Sequence, residues 1–141
     1  MNHFAISVAI VALTMGSAAQ KTKPAPAPSL DGIWVVTSIN GEEAPAGSPE
    51  LTLTIKGDKY QQTLGGQVNE RGTIKVDAAK KPMTIDLAIS EGPDAGKAQL
   101  GIVEVTGDTI RLNLDAPGAG QRPADFAAKA GFILIVGKKK A

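Results

Sequence analysis

Apolar and polar residues alternate strictly in several short segments of this chain, and turn-forming residues separate those segments. Leucine or isoleucine occupies every second position of residues 51–55, and methionine, isoleucine or leucine does so in residues 83–89. A period of two is typical of strands that bury one face. Glycine-containing pairs such as Gly57-Asp58 and Gly65-Gly66 predict tight hairpin turns between such strands. The pattern therefore predicts an all-β domain.

Residues 30–39, Leu-Asp-Gly-Ile-Trp-Val-Val-Thr-Ser-Ile, form the first predicted strand and contain the only tryptophan. Alternation places Trp34 and Val36 on one face of this strand, with Ile33 and Val35 on the other. Because both faces are mostly apolar, we expect this strand to be buried more fully than its neighbours. We predict that Trp34 plugs one end of the core, and a ligand contact is the alternative.

Residues 132–136, Phe-Ile-Leu-Ile-Val, form the last predicted strand and are also apolar on both faces. We expect the first and last strands to pair with each other, because pairing would remove both exposed sheet edges. Eight strands are predicted in all, and most are joined by short turns. The predicted fold is an eight-stranded antiparallel up-and-down barrel, with a β-sandwich as the alternative.

Residues 1–19 have the pattern of an export signal. Their apolar centre, from Phe4 to Met15, is about 12 residues long, which is shorter than the ~20 residues of a membrane-spanning helix. Small residues at positions 17–19 suit cleavage before Gln20. We therefore predict a signal peptide over residues 1–19. Because no lysine or arginine precedes the apolar centre, an uncleaved signal anchor is the alternative.

Residues 20–29 contain an alternating proline and alanine run at residues 24–28, which favours an extended, disordered linker over helix or sheet. The predicted barrel domain follows over residues 30–138, and residues 139–141 are predicted to be a solvated basic tail. This organisation predicts an exported protein, periplasmic or secreted, with no stable membrane span after signal cleavage.

The composition makes several kinds of chemistry improbable. The chain has no cysteine, and its single histidine is His3, inside the predicted signal peptide. Most hydrolase triads and most zinc sites need one of these residues. The formal net charge is only +1 and aromatic residues are 4% of the chain, which does not favour nucleic-acid binding. We predict a protein that is not an enzyme and has no cofactor, no metal and no nucleic-acid partner.

Three patterns resemble chemical motifs but fail in detail. Residues 92–98 lack the four-residue spacing and the hydroxyl of a phosphate-binding loop. The acidic residues Glu91, Asp94, Glu104 and Asp108 match no calcium-loop spacing, so we interpret them as solvated turn carboxylates. Glu70 and Glu104 lie in strand centres, and paired glycosidase chemistry between them is the alternative.

The predicted ligand-binding residues are the few polar or aromatic side chains among the inward aliphatic positions. Glu70 falls on the apolar face of residues 67–76, so we expect it near an open end or a β-bulge, with an interior ligand contact as the sharper alternative. Tyr60 and Gln62 are two positions apart on the neighbouring predicted strand, so they lie on the same face of it. Together with Trp34, they are the candidate contacts of a small apolar or amphipathic ligand.

Five segments together resemble the Planctomycetes small domain, a family of small exported bacterial domains considered lipocalin-like. They are residues 30–34 (Leu-Asp-Gly-Ile-Trp), 81–87 (Lys-Pro-Met-Thr-Ile-Asp-Leu), 91–97, 101–110 and 122–126, in order over about residues 30–137. The resemblance implies a barrel of the calycin type and implies no activity. One departure is Val103, which occupies a position that looks aromatic in the family.

The triplet Gly32-Ile33-Trp34 also matches the Gly-x-Trp signature at the first strand of lipocalins, where the tryptophan packs beside an arginine after the last strand. No arginine follows Val136 here, so Arg122 is our substitute candidate. Gly32, Trp34 and Arg122 are therefore the predicted barrel-closure residues.

We also expect an ion pair of Arg122 with Asp125 that fixes the final chain crossing, with an anion contact at the barrel mouth as the alternative. Asp86 lies among outward threonines, where we expect it to be solvated.

Two hypotheses about function follow. The first is a binding module whose barrel holds a small ligand, and the second is a structural or interaction domain whose core is filled and which binds a protein partner. A cavity of roughly 300 Å³ or more would favour the first hypothesis. A filled core with an exposed apolar patch would favour the second.

Overall fold

The computed structural model describes residues 29–141, and these residues form nine antiparallel strands and no helix. The strands are β1 (Gly32–Ile39), β2 (Glu42–Glu43), β3 (Leu51–Lys56), β4 (Lys59–Leu64), β5 (Gln67–Asp77), β6 (Thr84–Glu91), β7 (Ala98–Thr106), β8 (Thr109–Asp115) and β9 (Phe132–Lys139). The predicted signal peptide, and the predicted linker up to residue 28, lie outside the described residues. Within the described part of the chain, no helix is long and apolar enough to cross a membrane.

Eight of the strands close into a barrel, and β2 is a short addition to it. From β3 to β9 each strand pairs with the next one in sequence, and β1 pairs with both β3 and β9. The predicted pairing of the first and last strands is confirmed, as is the lipocalin-like up-and-down barrel. A two-sheet sandwich would not have the β1–β9 pairing. Strand β2 lies in the predicted loop after β1 and pairs with the last two residues of β1.

The expectation that β1 is more fully buried than its neighbours is wrong. Only Trp34 is fully buried in this strand, and the outward Ile33 is 43% exposed. The barrel surface outside β1 is uncovered, so an apolar residue there meets solvent. A register shift between Val36 and Ser38 also turns the strand, and Ile39 lines the interior together with Val36 as a result.

Inward apolar side chains of the ring form the core, and the partly buried Ile135 of β9 packs against it. Its buried members are Leu30, Trp34, Ile55, Tyr60, Ile74, Ile85, Leu87, Val103, Ile110, Leu112 and Leu114. Alternation along the strands places them on the inner surface, as the period-two pattern predicts.

Trp34 seals one end of the barrel and is 1% exposed. Its indole N–H donates to the carbonyl oxygen of Leu30 at 2.8 Å. The Lys139 ammonium lies 5.7 Å from the centre of the Trp34 ring, within the range of a cation–π contact. A Cβ on Gly32 would lie 2.8 Å from Cε of Lys139, so the glycine makes room for the lysine stem. Trp34 is therefore a buried member of the core.

Two predictions, one on barrel closure and one on the tail, need correction at this end of the barrel. The cation over Trp34 is Lys139 of β9, whereas Arg122 lies on the outer surface near β6 and β7. The predicted solvated tail over residues 139–141 begins one residue too early, because β9 continues to Lys139. The backbone N–H of Lys140 also donates to Ile33, at 2.8 Å, which ties the tail to β1.

The segment between β8 and β9, residues 116–131, crosses the outside of the barrel, and we call it the strap. The Arg122 guanidinium fastens the strap by donating to the carbonyl oxygen of Gly101 at 2.7 Å and to Oδ1 of Asp86 at 2.6 Å. The predicted ion pair of Arg122 with Asp125 is therefore wrong, and Asp86 is paired rather than only solvated. Asp125 instead pairs with Lys129 at 3.3 Å.

Asp115 anchors the start of the strap from within the barrel wall and is 0% exposed. Its Oδ1 accepts from the backbone N–H of Leu100 at 2.8 Å, and its Oδ2 accepts from that of Gln121 at 2.7 Å. Asn113 anchors the other half, since its amide donates to the carbonyl oxygens of Asp125 and Ala127. Two buried polar residues on β8 therefore set the path of the strap.

Replacing Asp115 with alanine should lower the free energy of unfolding by about 2–3 kcal/mol, because two backbone N–H groups lose their acceptor in or near a buried site. Denaturant unfolding followed by circular dichroism would measure this. Asp58→Ala, in an exposed turn, is the matched control and should change stability by less than about 0.5 kcal/mol. Equal effects of the two substitutions would contradict the anchoring role of Asp115.

Candidate functional site

The barrel contains a cavity of about 260 Å³ that opens at the end opposite Trp34. Most of its lining is aliphatic. The aliphatic residues are Val36, Ile39, Leu51, Leu53, Ile55, Ile74, Ile85, Leu87, Leu112, Leu114, Ile133 and Ile135. The volume does not reach the roughly 300 Å³ at which typical ligand pockets begin and which would have favoured the binding module. The inward aliphatic side chains nevertheless leave part of the barrel interior empty, and this empty space is large enough for a small molecule.

Three of the four predicted contact residues, Tyr60, Gln62 and Glu70, lie together on one wall of this cavity. The Tyr60 hydroxyl donates to Oε1 of Glu70 at 2.9 Å. Gln62 is the direct cross-strand partner of Glu70. We call these three residues the polar wall, and they give an otherwise apolar cavity one orienting side.

Alternation along β5 places Glu70 on the inward face with Gly72 and Ile74, and the β4–β5 ladder becomes irregular just beyond Glu70. The register shifts between Gln62 and Thr63, directly beside Glu70, as the sequence predicted. The shift places Val68 opposite the outward Thr63 and leaves Glu70 in the inward series. A carboxylate therefore enters the cavity near its open end, where it stays only partly buried.

Gly72 on β5 makes space for the Tyr60 ring. The two residues are cross-strand partners, and a Cβ on Gly72 would lie 2.7 Å from Cε1 of Tyr60. The ring therefore lies against bare backbone, and its hydroxyl donates to Glu70. Glycine is required here for close approach and not for an unusual backbone angle.

The surroundings of Tyr60 raise the pKa of its phenol above the ordinary value. Burial of the ring is the largest cause, because it disfavours the charged phenolate. The hydrogen bond to Glu70 and the negative charge of that carboxylate act in the same direction. Tyr60 is therefore a neutral hydrogen-bond donor over the physiological pH range.

Trp34 does not line the cavity, so its alternative prediction as a ligand contact gains no support from the geometry. Glu104, the other glutamate considered for paired chemistry, lies on the outer face and is bound by Arg111. That hydrogen bond holds the pKa of the Glu104 carboxyl below its usual range. Glu70 and Glu104 are therefore not brought together in one cleft.

Sequence reasoning missed Gln99, Asp94 and Pro117 as lining residues. Gln99 is buried at the start of β7, and its amide donates to the carbonyl oxygen of Asp115 at 3.0 Å. Counting back by twos from the inward Val103 would have placed it inside. Asp94 and Pro117 come from loops at the mouth, and no strand periodicity predicts their position.

Residues 29–141 contain no cluster of three or more acidic or histidine side chains suited to a metal ion. Comparison of the chain with protein-family models, with curated proteins and with solved structures gives no match. The class of protein is therefore defined by the fold and by the cavity: a closed, lipocalin-like β-barrel with one partly polar internal site.

The ultraviolet titration of phenolate formation should give a pKa well above 10 for the folded protein, because Tyr60 is the only tyrosine. Glu70→Gln should move that pKa downward, since the carboxylate charge is removed, but burial should keep it above 10. A folded-state pKa near 10 in the unmodified protein would contradict the described environment of Tyr60.

The same shift predicts a dependence of stability on pH. The folded chain holds the phenolic proton more tightly than the unfolded chain does, so this contribution is complete below pH 10. It should be lost as the pH rises from 10 through the folded-state pKa. Denaturant unfolding at several alkaline pH values would measure it, with Tyr60→Phe as the control that lacks the titrating group.

Proposed function

We propose that this domain is a small binding protein that holds a compact, largely apolar ligand inside its barrel. The observation that carries the proposal is the apolar cavity of about 260 Å³ with a polar wall at one side. Eight-stranded barrels of this kind are wide enough for packed side chains or for one small ligand. Apolar lining with a few convergent polar groups is the usual composition of a ligand site.

The volume limits the size of the ligand. An apolar cavity of about 150 Å³ in another protein holds one benzene molecule. By proportion, this cavity accommodates about ten non-hydrogen atoms. The ligand is therefore smaller than a long-chain lipid or a drug-sized molecule.

The proposed setting is outside the cytoplasm. It is supported by the signal-like pattern of residues 1–19 and the Pro/Ala pattern of residues 20–29, both of which are sequence patterns. Membership of the Planctomycetes small domain family is part of the same proposal and is supported by the five segments quoted above. We propose no catalytic activity, because the acidic residues of the cavity, Glu70 and Asp94, come without a histidine or cysteine.

A structural or interaction domain is the second candidate function. It is favoured by exposed apolar residues near the mouth, where Ile39 and Leu64 are 38% and 44% exposed. These side chains would also suit the entrance of a cavity that admits an apolar ligand. The two functions are separated by whether the interior takes up a small molecule.

The unmodified protein should bind octanol, whose nine non-hydrogen atoms suit the cavity, with a negative heat-capacity change of binding. Leu53→Trp should weaken this binding at least about tenfold, because the larger side chain enters the cavity beside Gln62. Isothermal titration calorimetry at several temperatures would measure both quantities.

Ile33→Trp is the matched control, since Ile33 lies on the outer face and is 43% exposed. It should bind octanol as the unmodified protein does. Octanol binding that survives Leu53→Trp would refute an internal site, and so would an absence of binding by the unmodified protein to octanol, octylamine and octanoate alike. Either result would favour the interaction domain.

A further inference from the structure

The cavity carries acidic groups and no basic ones. Its lining residues include Glu70 and Asp94 but no lysine, arginine or histidine. Asp94 lies in the loop at the mouth, where the Lys97 ammonium is 3.4 Å from its Oδ1. The charge of Asp94 is therefore balanced locally, and Glu70 supplies the unbalanced charge of the cavity.

No lysine or arginine among residues 29–141 forms an ion pair with Glu70. The neighbouring Arg71 points to the outer surface, where its guanidinium binds Gln61 and Glu91. The only side-chain hydrogen bond to Glu70 within this part of the chain comes from Tyr60 and occupies Oε1. A partly buried carboxylate thus faces an apolar cavity with one oxygen free.

The polar wall as a whole is rich in acceptors. The second oxygen of Glu70 is available, the Tyr60 hydroxyl oxygen can accept while its proton is donated to Glu70, and the Gln62 side chain has an amide oxygen. A carboxylate in partly desolvated surroundings attracts a cation more strongly than it would in water. The ligand group that best complements the polar wall therefore has a positive charge and several N–H donors.

We propose that the ligand of this barrel is a small apolar primary amine, bound as its ammonium ion. The ammonium donates to Glu70 and to the other acceptors of the polar wall, and the apolar body fills the aliphatic part of the cavity. This inference rests on the proposed binding function and specifies its ligand class. It also excludes fatty acids, because a second carboxylate beside Glu70 would bring like charges together without a cation between them.

The test compares three probes that share one apolar body and differ in the head group: octylamine, octanol and octanoate. Calorimetry on the unmodified protein at neutral pH should rank octylamine as the tightest and octanoate as the weakest. The preference for octylamine over octanol should be about tenfold, as expected when a hydrogen bond to a charged group replaces a neutral one.

Glu70→Gln should remove this preference, because the amide keeps an acceptor for Tyr60 but carries no charge. The affinity for octylamine should fall about tenfold, whereas the affinity for octanol should change by less than about threefold. Glu91→Gln is the matched control: it removes one carboxylate from the outer surface, where Glu91 pairs with Arg71. It should leave all three affinities unchanged, and circular dichroism would verify that both variants are folded.

The outcomes separate the ligand class from the binding function. If octanol binds and octylamine binds no better, or if octanoate binds as tightly as octylamine, the amine proposal is overturned while an internal site stands. If Glu91→Gln weakens octylamine as much as Glu70→Gln does, the effect is one of overall charge and the amine proposal is likewise overturned. If none of the three probes binds the unmodified protein, the binding function itself fails.

Discussion

The pairing of β1 with both β3 and β9 is the constraint on which the rest of this structure depends. A sheet of this length with open edges would expose a row of unpaired backbone groups, and closing the ring removes them. Closure also fixes the width of the interior, because eight strands enclose a space of limited diameter. What distinguishes the two ends is then only the size and polarity of the inward side chains. Trp34 fills one end, and shorter side chains leave the other end open.

The open half of the interior contains polar groups that a densely packed core would exclude. Burial of Tyr60 and Glu70 removes water from both, and their mutual hydrogen bond offsets part of that cost. The absence of a side chain at Gly72 leaves room for the Tyr60 ring beside Glu70. A chain selected only for stability would have aliphatic residues at these positions, so the polar wall is the part of the core that stability alone does not explain.

Periodicity predicted the ring and most of its inward residues, because alternation follows from the geometry of a strand. It also located Glu70, since a carboxylate on an apolar face implies a bulge or an open end.

The pattern could not predict what covers the outer surface. Ile33 was expected to be buried, and it is exposed because the strap crosses β6, β7 and β8 rather than β1. The predicted partner of Arg122 was wrong for the same reason. Asp125 is near Arg122 in sequence, but Asp86 and the Gly101 carbonyl oxygen lie beneath the strap and accept from the guanidinium. The cation at Trp34 was missed because Lys139 was assigned to a solvated tail, although a lysine stem can lie along apolar surface.

The ring closure has a further consequence for the order of the chain. Every strand pair of the barrel except β1–β9 joins elements close in sequence, so only one pairing requires distant segments to meet. That pairing sets Trp34 directly opposite Lys139, and the two ends of the domain lie side by side. The circle of strands therefore has no obligatory starting point. A circular permutant that joins β9 to β1 and begins at the Gly57-Asp58 turn would retain every strand pairing of the native barrel.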